Sequence, residues 1–475
     1  MNRLYDITAS LDSAKSDLYV KNNNDYFTYF NSFCLHKWKK YTTITQLRLC
    51  LKVTGSMKIV YRYADKHGEV VFAEDIAEGD YSRDFSIDEL LGDIVGFSAE
   101  ALEDGSKIES GGYWGEFSSW SHQQIGVGIC TYKREKYVLK TMQTLADFIS
   151  NHKWLQVLVV DNGATLDVHD YGPIRVFHNR NYGGSGGFTR ALLEYVKEDK
   201  MDYVLLMDDD IILEPSAIER MYALLCGLKA AYRKNYLGGA MLSVEKPTLQ
   251  YENTAYWNKI KSHVNYHNLD LTKIENLVKN GVLPKQENQY AGWWFCCMPL
   301  QRIKENGYPL PLFIKTDDME YSIRNGHSIM NMNGIGVWHE TFVKKMNPVI
   351  VYHSDRNSLI LNHYVKGGCA FYAILAVILR LAKSVLTMNF NSIKGLSLAL
   401  RDYLGGIERI VDVGSDCKMR NISNELEYLK TTTAITNIVI NVSYIAKEYS
   451  RLQYSYQQFI IFKLKDNRFW IDFLK

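Results

Sequence analysis

One stretch limits the folds open to this chain more than any other. Tyr203-Val204-Leu205-Leu206-Met207 runs directly into Asp208-Asp209-Asp210. A short apolar run of this kind reads as a strand buried on both faces, the type that fills a parallel sheet. The carboxylates then fall at its C-terminal end, where open α/β sheets bind ligands. Residues two apart share a face of an extended chain. Asp208 and Asp210 therefore reach one point together while Asp209 faces away. Three like charges in a row need a cation, a base or solvent to answer them. A hard divalent cation, Mg²⁺ or Mn²⁺, suits oxygen ligands. An isolated acidic triplet also fits a solvated turn, so the weight of the motif rests on its surroundings.

Those surroundings repeat the pattern. Gln124 to Cys130 is an apolar run ending in Thr131-Tyr132-Lys133-Arg134. Val138, Leu139, Met142, Leu145 and Phe148 then recur at helical spacing, predicting a helix from about Lys136 to Asn151. Leu155 to Val160 is a second strand, ending in Asp161-Asn162-Gly163. Strand, helix, strand calls for a parallel sheet with a right-handed crossover. Ile174 to Phe177 is a further short strand, followed by Asn181-Tyr-Gly-Gly-Ser-Gly-Gly-Phe188 and a helix over Ala191 to Lys197. That glycine run is neither GxGxxG nor a Walker loop. It reads either as amides facing a phosphate at a helix start or as a flexible turn where backbones pass closely. Three strand ends thus carry polar clusters, as a nucleotide site at strand C-termini would.

Before this region, Leu18 to Gly112 is β-rich. Strands are expected at Tyr26–Phe30, Thr42–Val53, Met57–Tyr63 and Val70–Phe72, with turns at Thr54-Gly55-Ser56 and Lys66-His67-Gly68. A small antiparallel sandwich over residues 1–117 is expected. Trp38, Tyr41, Tyr61 and Tyr63 suit core packing more than a sugar groove. After the carboxylates, Glu214-Pro215-Ser216 starts a helix, and Gly238 to Leu242 reads as a strand. Asn253 to Lys285 reads as an irregular excursion or lid. A second dense patch spans Tyr290 to Glu340 and holds Trp293-Trp294, Asp317-Asp318 and Val337-Trp338-His339. One Asp suffices to cap a helix at 317, and the second is left over as a candidate general base. His339 is a candidate third ligand beside Asp208 and Asp210. From about Asn347 the pattern is helical. Ala370 to Met388 is apolar but interrupted by Arg380 and Lys383, fitting a buried or interfacial helix. The basic-aromatic run Phe459 to Trp470 fits either a membrane surface or docking on the helical part.

Composition excludes little. A net charge of +2 over 475 residues gives no reason to expect nucleic acid. The 8 cysteines form no CxxC pair, which suits reduced cytoplasmic thiols. The N-terminal segment lacks the apolar core of a secretory signal.

Together, Asn181-Tyr-Gly-Gly-Ser-Gly-Gly-Phe, Met207-Asp-Asp-Asp-Ile, Trp293-Trp294, Pro309-Leu-Pro-Leu-Phe-Ile-Lys-Thr-Asp-Asp and Val337-Trp-His resemble the bacterial galactofuranosyltransferases, inverting enzymes of the GT-A type similar to the mycobacterial galactan polymerases. The resemblance implies an α/β GT-A domain over residues 118–346, an N-terminal β-sandwich over 1–117 and a C-terminal helical region over 347–475. It implies transfer of β-galactofuranose from UDP-galactofuranose to a glycan or lipid-linked glycan acceptor in cell-surface polysaccharide synthesis. Thr131, Arg134, Asp161, Asn181 and Asp209 would lie at the donor. Asp208, Asp210 and His339 would hold Mn²⁺ or Mg²⁺. Asp318 would be the base and Asp317 would orient the acceptor. Trp293, Trp294, Tyr290, Glu252 and Lys315 would line the acceptor and sugar pocket. A peripheral place on the inner face of the plasma membrane is implied, and a homo-oligomer is compatible with it. Thr316 departs from the pattern, since the family places an aromatic between the Lys and the paired Asp, and this bears on acceptor choice. A pyranose donor on the same fold and a catalytically inactive glycan-binding scaffold are the competing readings. A nucleotidyltransferase would need a basic triphosphate loop that the sequence lacks.

Overall fold

Side chains of the strand Tyr203–Asp208 alternate between two cores. Leu205 and Met207 join one, and Val204 and Leu206 join the other. Both faces are buried, so the run carries apolar side chains at every position up to the carboxylate. In the computed structural model, which describes residues 1–7, 13–22, 24–167, 170–282, 286–325, 328–341, 347–412 and 416–474, this strand lies inside an eight-stranded sheet. Ile125–Thr131, Leu155–Asp161 and Ile174–His178 follow on one side in parallel. Cys296–Pro299 runs antiparallel on the other side. The helix Glu135–Ile149 joins the first two parallel strands and buries Val138, Met142 and Leu145, which recur at helical spacing. Register brings Thr131 beside Asp161 and Cys130 beside Asp208, so the strand ends share one rim.

A smaller sheet supplies the other wall of that rim. Ile212–Leu213 leaves the carboxylates at once and pairs with Gly336–His339, with Ile212 opposite Trp338. Gly336–His339 in turn runs parallel to Ala240–Ser243. His339, far away in sequence, is carried back to the Asp208–Asp210 turn by this pairing.

The N-terminal part is one antiparallel sheet of five strands built on a long hairpin, Ile44–Asp65 with Gly68–Ser86. Lys107–Phe117 pairs with the first half of the long strand and Ile94–Ala101 with the second. Lys66-His67 turns the hairpin as expected. Thr54-Gly55-Ser56 does not turn: the strand continues through a register shift in which Thr54 and Gly55 are the two extra residues, with Gly55 at φ +73°. Tyr26 to Phe30 forms bends and turns instead of a strand. Trp38, Tyr41 and Tyr61 are core side chains. One apolar core runs from this sheet to the Glu135–Ile149 face of the large sheet. Arg220 crosses the junction, donating to the Phe30 carbonyl at 2.6 Å and lying 3.7 Å from the Tyr5 ring centroid.

The opposite face of the large sheet packs against the helix Gly183–Glu198 and the C-terminal helices, through Leu396, Leu400, Ile445, Leu452 and Tyr456. The terminal helix Asn467–Phe473 returns to the sheet, with Trp470 Nε1 donating to Pro309 O at 3.1 Å and Phe473 beside Tyr182. Trp470 is fully buried, whereas Ile461 and Phe462 next to it are exposed.

Two further regions differ from expectation. The glycine run is helical from Gly183, eight residues before the expected start at Ala191. Tertiary contact overrides glycine's poor helix propensity here. A Cβ on Gly187 would overlap Cys130 Sγ, and one on Gly183, where φ is +68°, would overlap the Phe313 carbonyl. The stretch Asn253 to Lys285 is structured over its described residues, with strands Ala255–Trp257, Ser262–Val264 and Leu269–Asp270 and the helix Ile274–Gly281. Trp257, Leu271 and Leu277 anchor it in apolar cores. Residues 283–285 of that expected excursion lie outside the described residues.

Candidate active site

Asp208, Asp210 and His339 converge. One ligand atom from each lies within 4.8 Å of the others. His339 Nε2 is 3.1 Å from Asp210 Oδ1 and 3.6 Å from Asp208 Oδ2. His339 Nδ1 lies 2.6 Å from the Glu340 carbonyl. A carbonyl only accepts, so Nδ1 carries a hydrogen and Nε2 is the ring nitrogen turned to the carboxylates, the one free to bind a cation once its own proton is gone. Two carboxylates and one imidazole, oriented by a backbone hydrogen bond, fit a divalent cation of the Mn²⁺ or Mg²⁺ class. Burial pulls the His339 pKa down, but Asp210 and Asp208 outweigh it and raise the pKa. Asp208 is raised by burial and opposed mainly by His339.

Asp209 does turn away, into a partnered niche. Thr131 Oγ1 donates to its Oδ2 at 2.6 Å, and Arg134 lies 3.4 Å from its Oδ1. Burial raises Asp209 to about 6 against those two partners. Arg134 also pairs with Asp210, so one guanidinium ties the two aspartates together at the cleft edge. Asp161 is fully buried, and its carboxylate accepts N–H groups from Gly163, Thr165 and Leu166 at 2.7–2.9 Å. It shapes the loop after its strand. Asn181 Oδ1 accepts from Gly183 N–H at 3.0 Å, fixing the entry to the glycine-rich helix.

Asp317 and Asp318 open the helix Asp317–Asn325, where the helix dipole favours negative charge. Ser185 Oγ donates to Asp317 Oδ2 at 3.1 Å, and Met319 N–H to Asp318 Oδ1 at 2.8 Å. Burial raises the pKa of both. Each opposes the other's ionisation, so the pair holds a proton well above the ordinary carboxylate range. The positive charge of Lys315 lowers both members of the pair and also Asp208 and Glu252. Glu252, at the end of Leu249–Glu252, is pushed up to about 7 by burial, against Lys315 and His339. Tyr290 is raised by burial and by the charges of Glu252 and Asp318, and its hydroxyl hydrogen-bonds with that of Ser262. Trp293 packs edge-on against Phe188, with centroids 5.2 Å apart, and Trp294 Nε1 donates to Gly239 O at 3.0 Å. Both indoles are buried, Trp293 in the core on the Gly183–Glu198 side of the large sheet and Trp294 in the core on the opposite side.

Sequence reasoning missed the backbone that carries the acidic pair. Phe313, Lys315 and Thr316 have φ of 72°, 65° and 70°. Left-handed backbone in residues other than glycine costs of the order of 1–3 kcal/mol each, and for a β-branched residue such as Thr316 it is a genuine outlier. It also missed Ser185, whose one signal was to be the only hydroxyl among four glycines. Asn162 stands out in the sequence only as part of a strand-end cluster. Its Nδ2 donates to Gly183 O at 2.9 Å, and Asn179 donates to its Oδ1.

A strand rim carries a carboxylate pair and a histidine, and a second carboxylate pair, Asp317 buried and Asp318 half-buried, opens the helix Asp317–Asn325. Residues 126–273 match the family model described as glycosyl transferase family 2, and the α/β sheet beneath the rim is a GT-A glycosyltransferase fold. The particular relatives are galactofuranosyltransferases. The chain is 27% identical over 429 residues to galactofuranosyltransferase GlfT2 of Mycobacterium tuberculosis, covering 81% of this chain and 66% of that protein. It is 25% identical over 420 residues to GlfT2 of Mycolicibacterium smegmatis, covering 81% of this chain and 64% of that protein. The chain thus spans slightly less than two thirds of the length of these relatives. Among solved structures, residues 1–349 of S. aureus TarS with UDP are 15% identical, with 69% of this chain and 91% of that one covered and a TM-score of 0.38.

Proposed function

We propose that this chain transfers β-galactofuranose from UDP-galactofuranose to a hydroxyl of a glycan acceptor, with inversion at the anomeric carbon. The observation that carries the reading is the convergence of Asp208, Asp210 and His339, together with the paired Asp317 and Asp318 at a helix start, in a chain similar to galactofuranosyltransferases along most of its length. Residues 118–346 carry the chemistry in this reading, flanked by the 1–117 sheet and the 347–475 helices.

Asp208, Asp210 and His339 would hold the Mn²⁺ or Mg²⁺, which when bound supplies positive charge to the pyrophosphate leaving group. Arg134 brings five N–H donors to the same edge, more than its two aspartate partners use. The loop tied by Asp161, the niche of Thr131 and Asp209, and Asn181 shape the nucleotide's seat. On the other side, Asp317 is fixed by Ser185 and orients the acceptor sugar. Asp318 takes the proton as the acceptor oxygen bonds to the anomeric carbon. The bond from that carbon to the phosphate oxygen breaks, and UDP leaves with the electron pair. Attack on the face opposite UDP inverts the centre, so no sugar is attached to the enzyme. Lys315, Glu252, Tyr290, Trp293 and Trp294 bound the acceptor pocket.

A lipid-linked acceptor fits the exposed apolar side chains Phe371, Leu379, Leu386, Met388 and Phe390. Among the described residues, no helix is long and apolar enough to cross a membrane. Flotation with anionic liposomes tests that attachment, and full-length protein left at the bottom of the gradient would contradict it. For the reaction, UDP release is measured across a panel of UDP-sugars with a galactose-terminated acceptor, in Mn²⁺ and in EDTA. Turnover of UDP-galactofuranose alone, lost in EDTA, is expected. Turnover of UDP-galactopyranose instead would contradict the donor assignment.

A further inference from the structure

The strained approach to the acidic pair needs something to hold it, and the helix Pro348–Leu361 supplies that support from outside the cleft. Asn357 is fully buried, and its Nδ2 faces three backbone carbonyls in succession: Leu312 at 3.2 Å, Ile314 at 3.0 Å and Lys315 at 2.8 Å. These carbonyls are interleaved with the left-handed residues Phe313, Lys315 and Thr316, with Lys315 belonging to both sets. An amide –NH₂ has two donors, so one side chain gathers a backbone that would otherwise open. The orientation of the amide is itself fixed. Arg356, also fully buried, donates from Nε to Asn357 Oδ1 at 2.9 Å and from Nη2 to Leu312 O at 3.0 Å. Arg356 is held in turn by Tyr352, whose hydroxyl donates to Asp402 at 2.7 Å. On the far side of the segment, Ser185 N–H donates to Phe313 O at 3.3 Å.

A buried arginine and asparagine committed to backbone carbonyls are a costly way to fill a core. Apolar side chains would pack the same volume without desolvating a guanidinium. Their placement makes sense if the conformation of Phe313–Thr316 matters to the two residues next in the chain, Asp317 and Asp318.

We infer that Asn357, locked in orientation by Arg356, is a positioning residue for the Asp317–Asp318 pair, pinning the left-handed segment that aims both carboxylates at the acceptor. It rests on the acceptor-side role given above to that pair, and it assigns to the C-terminal helices a share in the reaction.

The test compares the full chain with Asn357→Leu, which keeps the branched outline of the side chain and removes the donors. Thr316→Gly is added in a second variant, because glycine adopts the left-handed conformation without strain and keeps the protein folded when the pin is gone. Amide hydrogen exchange is read first, since it needs no substrate. Faster exchange is expected at Ile314 and Glu320, whose N–H groups bond within and just after the segment, with the strand Tyr203–Asp208 unchanged. Transfer from UDP-galactofuranose to a galactose-terminated acceptor is expected to fall about 10²-fold, the scale of a 1 Å misplacement, while UDP affinity in Mn²⁺ stays within twofold. Unchanged exchange in the segment would overturn the inference. So would a parallel fall in UDP affinity and transfer, which is what a general packing role gives. A wrong assignment of Asp318 shows separately, as turnover retained in Asp318→Asn, and leaves the exchange result standing by itself.

Discussion

The two halves of the site are built differently. The half proposed to hold the donor hangs from strand ends. Thr131, Asp161 and Asp208 share one rim because parallel strands in register must end together, and His339 is delivered to it by the pairing of Ile212–Leu213 with Gly336–His339. The half proposed to face the acceptor hangs from a segment with three left-handed residues, held from the helix that begins at Pro348. The first half takes its geometry from sheet hydrogen bonding. The second takes it from two buried side chains. A site of this design can change its acceptor by altering a loop and its brace without disturbing the seat of the nucleotide.

The comparison breaks most sharply at the acidic pair. Asp318→Ala is expected to lower transfer by roughly 10³-fold, within the range for a general base, as measured by acceptor-dependent UDP release. Asp208→Ala attacks the other half. Transfer should lose its dependence on Mn²⁺ and fall by at least the order of 10²-fold found for groups that support a metal. A variant that still responds to Mn²⁺ would remove Asp208 from the ligand set. Gly187→Ala tests the floor between the halves. The new methyl meets Cys130 Sγ, so thermal melting should show a loss of about 1–3 kcal/mol typical of overpacking.

The smallest effect sharpens the roles within the pair. Burial and the charge of Asp317 both raise the Asp318 pKa. Transfer should therefore fall as pH drops through a value above the ordinary carboxylate range, where Asp318 takes up a proton and is lost as a base. Asp317→Asn removes one like charge, so Asp318 gives up its proton more readily. The acid limb of the residual activity should move to lower pH. A limb that stays in place or moves up would show that the charge of Asp317 does not act on the base.

The donor half was largely legible in the sequence. The Tyr203–Asp208 strand announces itself because both its faces are buried, and period-2 geometry then separates Asp209 from its neighbours. The βαβ order follows from the spacing of Val138, Met142 and Leu145. The early start of the glycine-rich helix was hidden, because what calls for glycine there is the close approach of the Cys130 side chain and the Phe313 carbonyl, two groups remote in sequence. Thr54-Gly55-Ser56 misled for a related reason. A bulge and a turn use the same residues, and only the partner strands decide between them. The region Asn253 to Lys285 looked irregular because its strands are two or three residues long, too short for a periodic signal. In the acceptor half, Asp317 and Asp318 were visible as a pair that one helix cap does not explain. The left-handed backbone before them was not, since Phe313, Lys315 and Thr316 all prefer negative φ and are held otherwise by Asn357 and Arg356.

The separability of the two halves is the central claim, and UDP binding tests it most directly. Calorimetric titration of UDP into the parent, Asp208→Ala and Asp318→Ala, each with and without Mn²⁺, puts all three proteins on one scale. Asp318→Ala should bind UDP within twofold of the parent and keep its response to Mn²⁺, while Asp208→Ala should lose that response. Loss of UDP binding in Asp318→Ala, or a full Mn²⁺ response in Asp208→Ala, would contradict the division of the site.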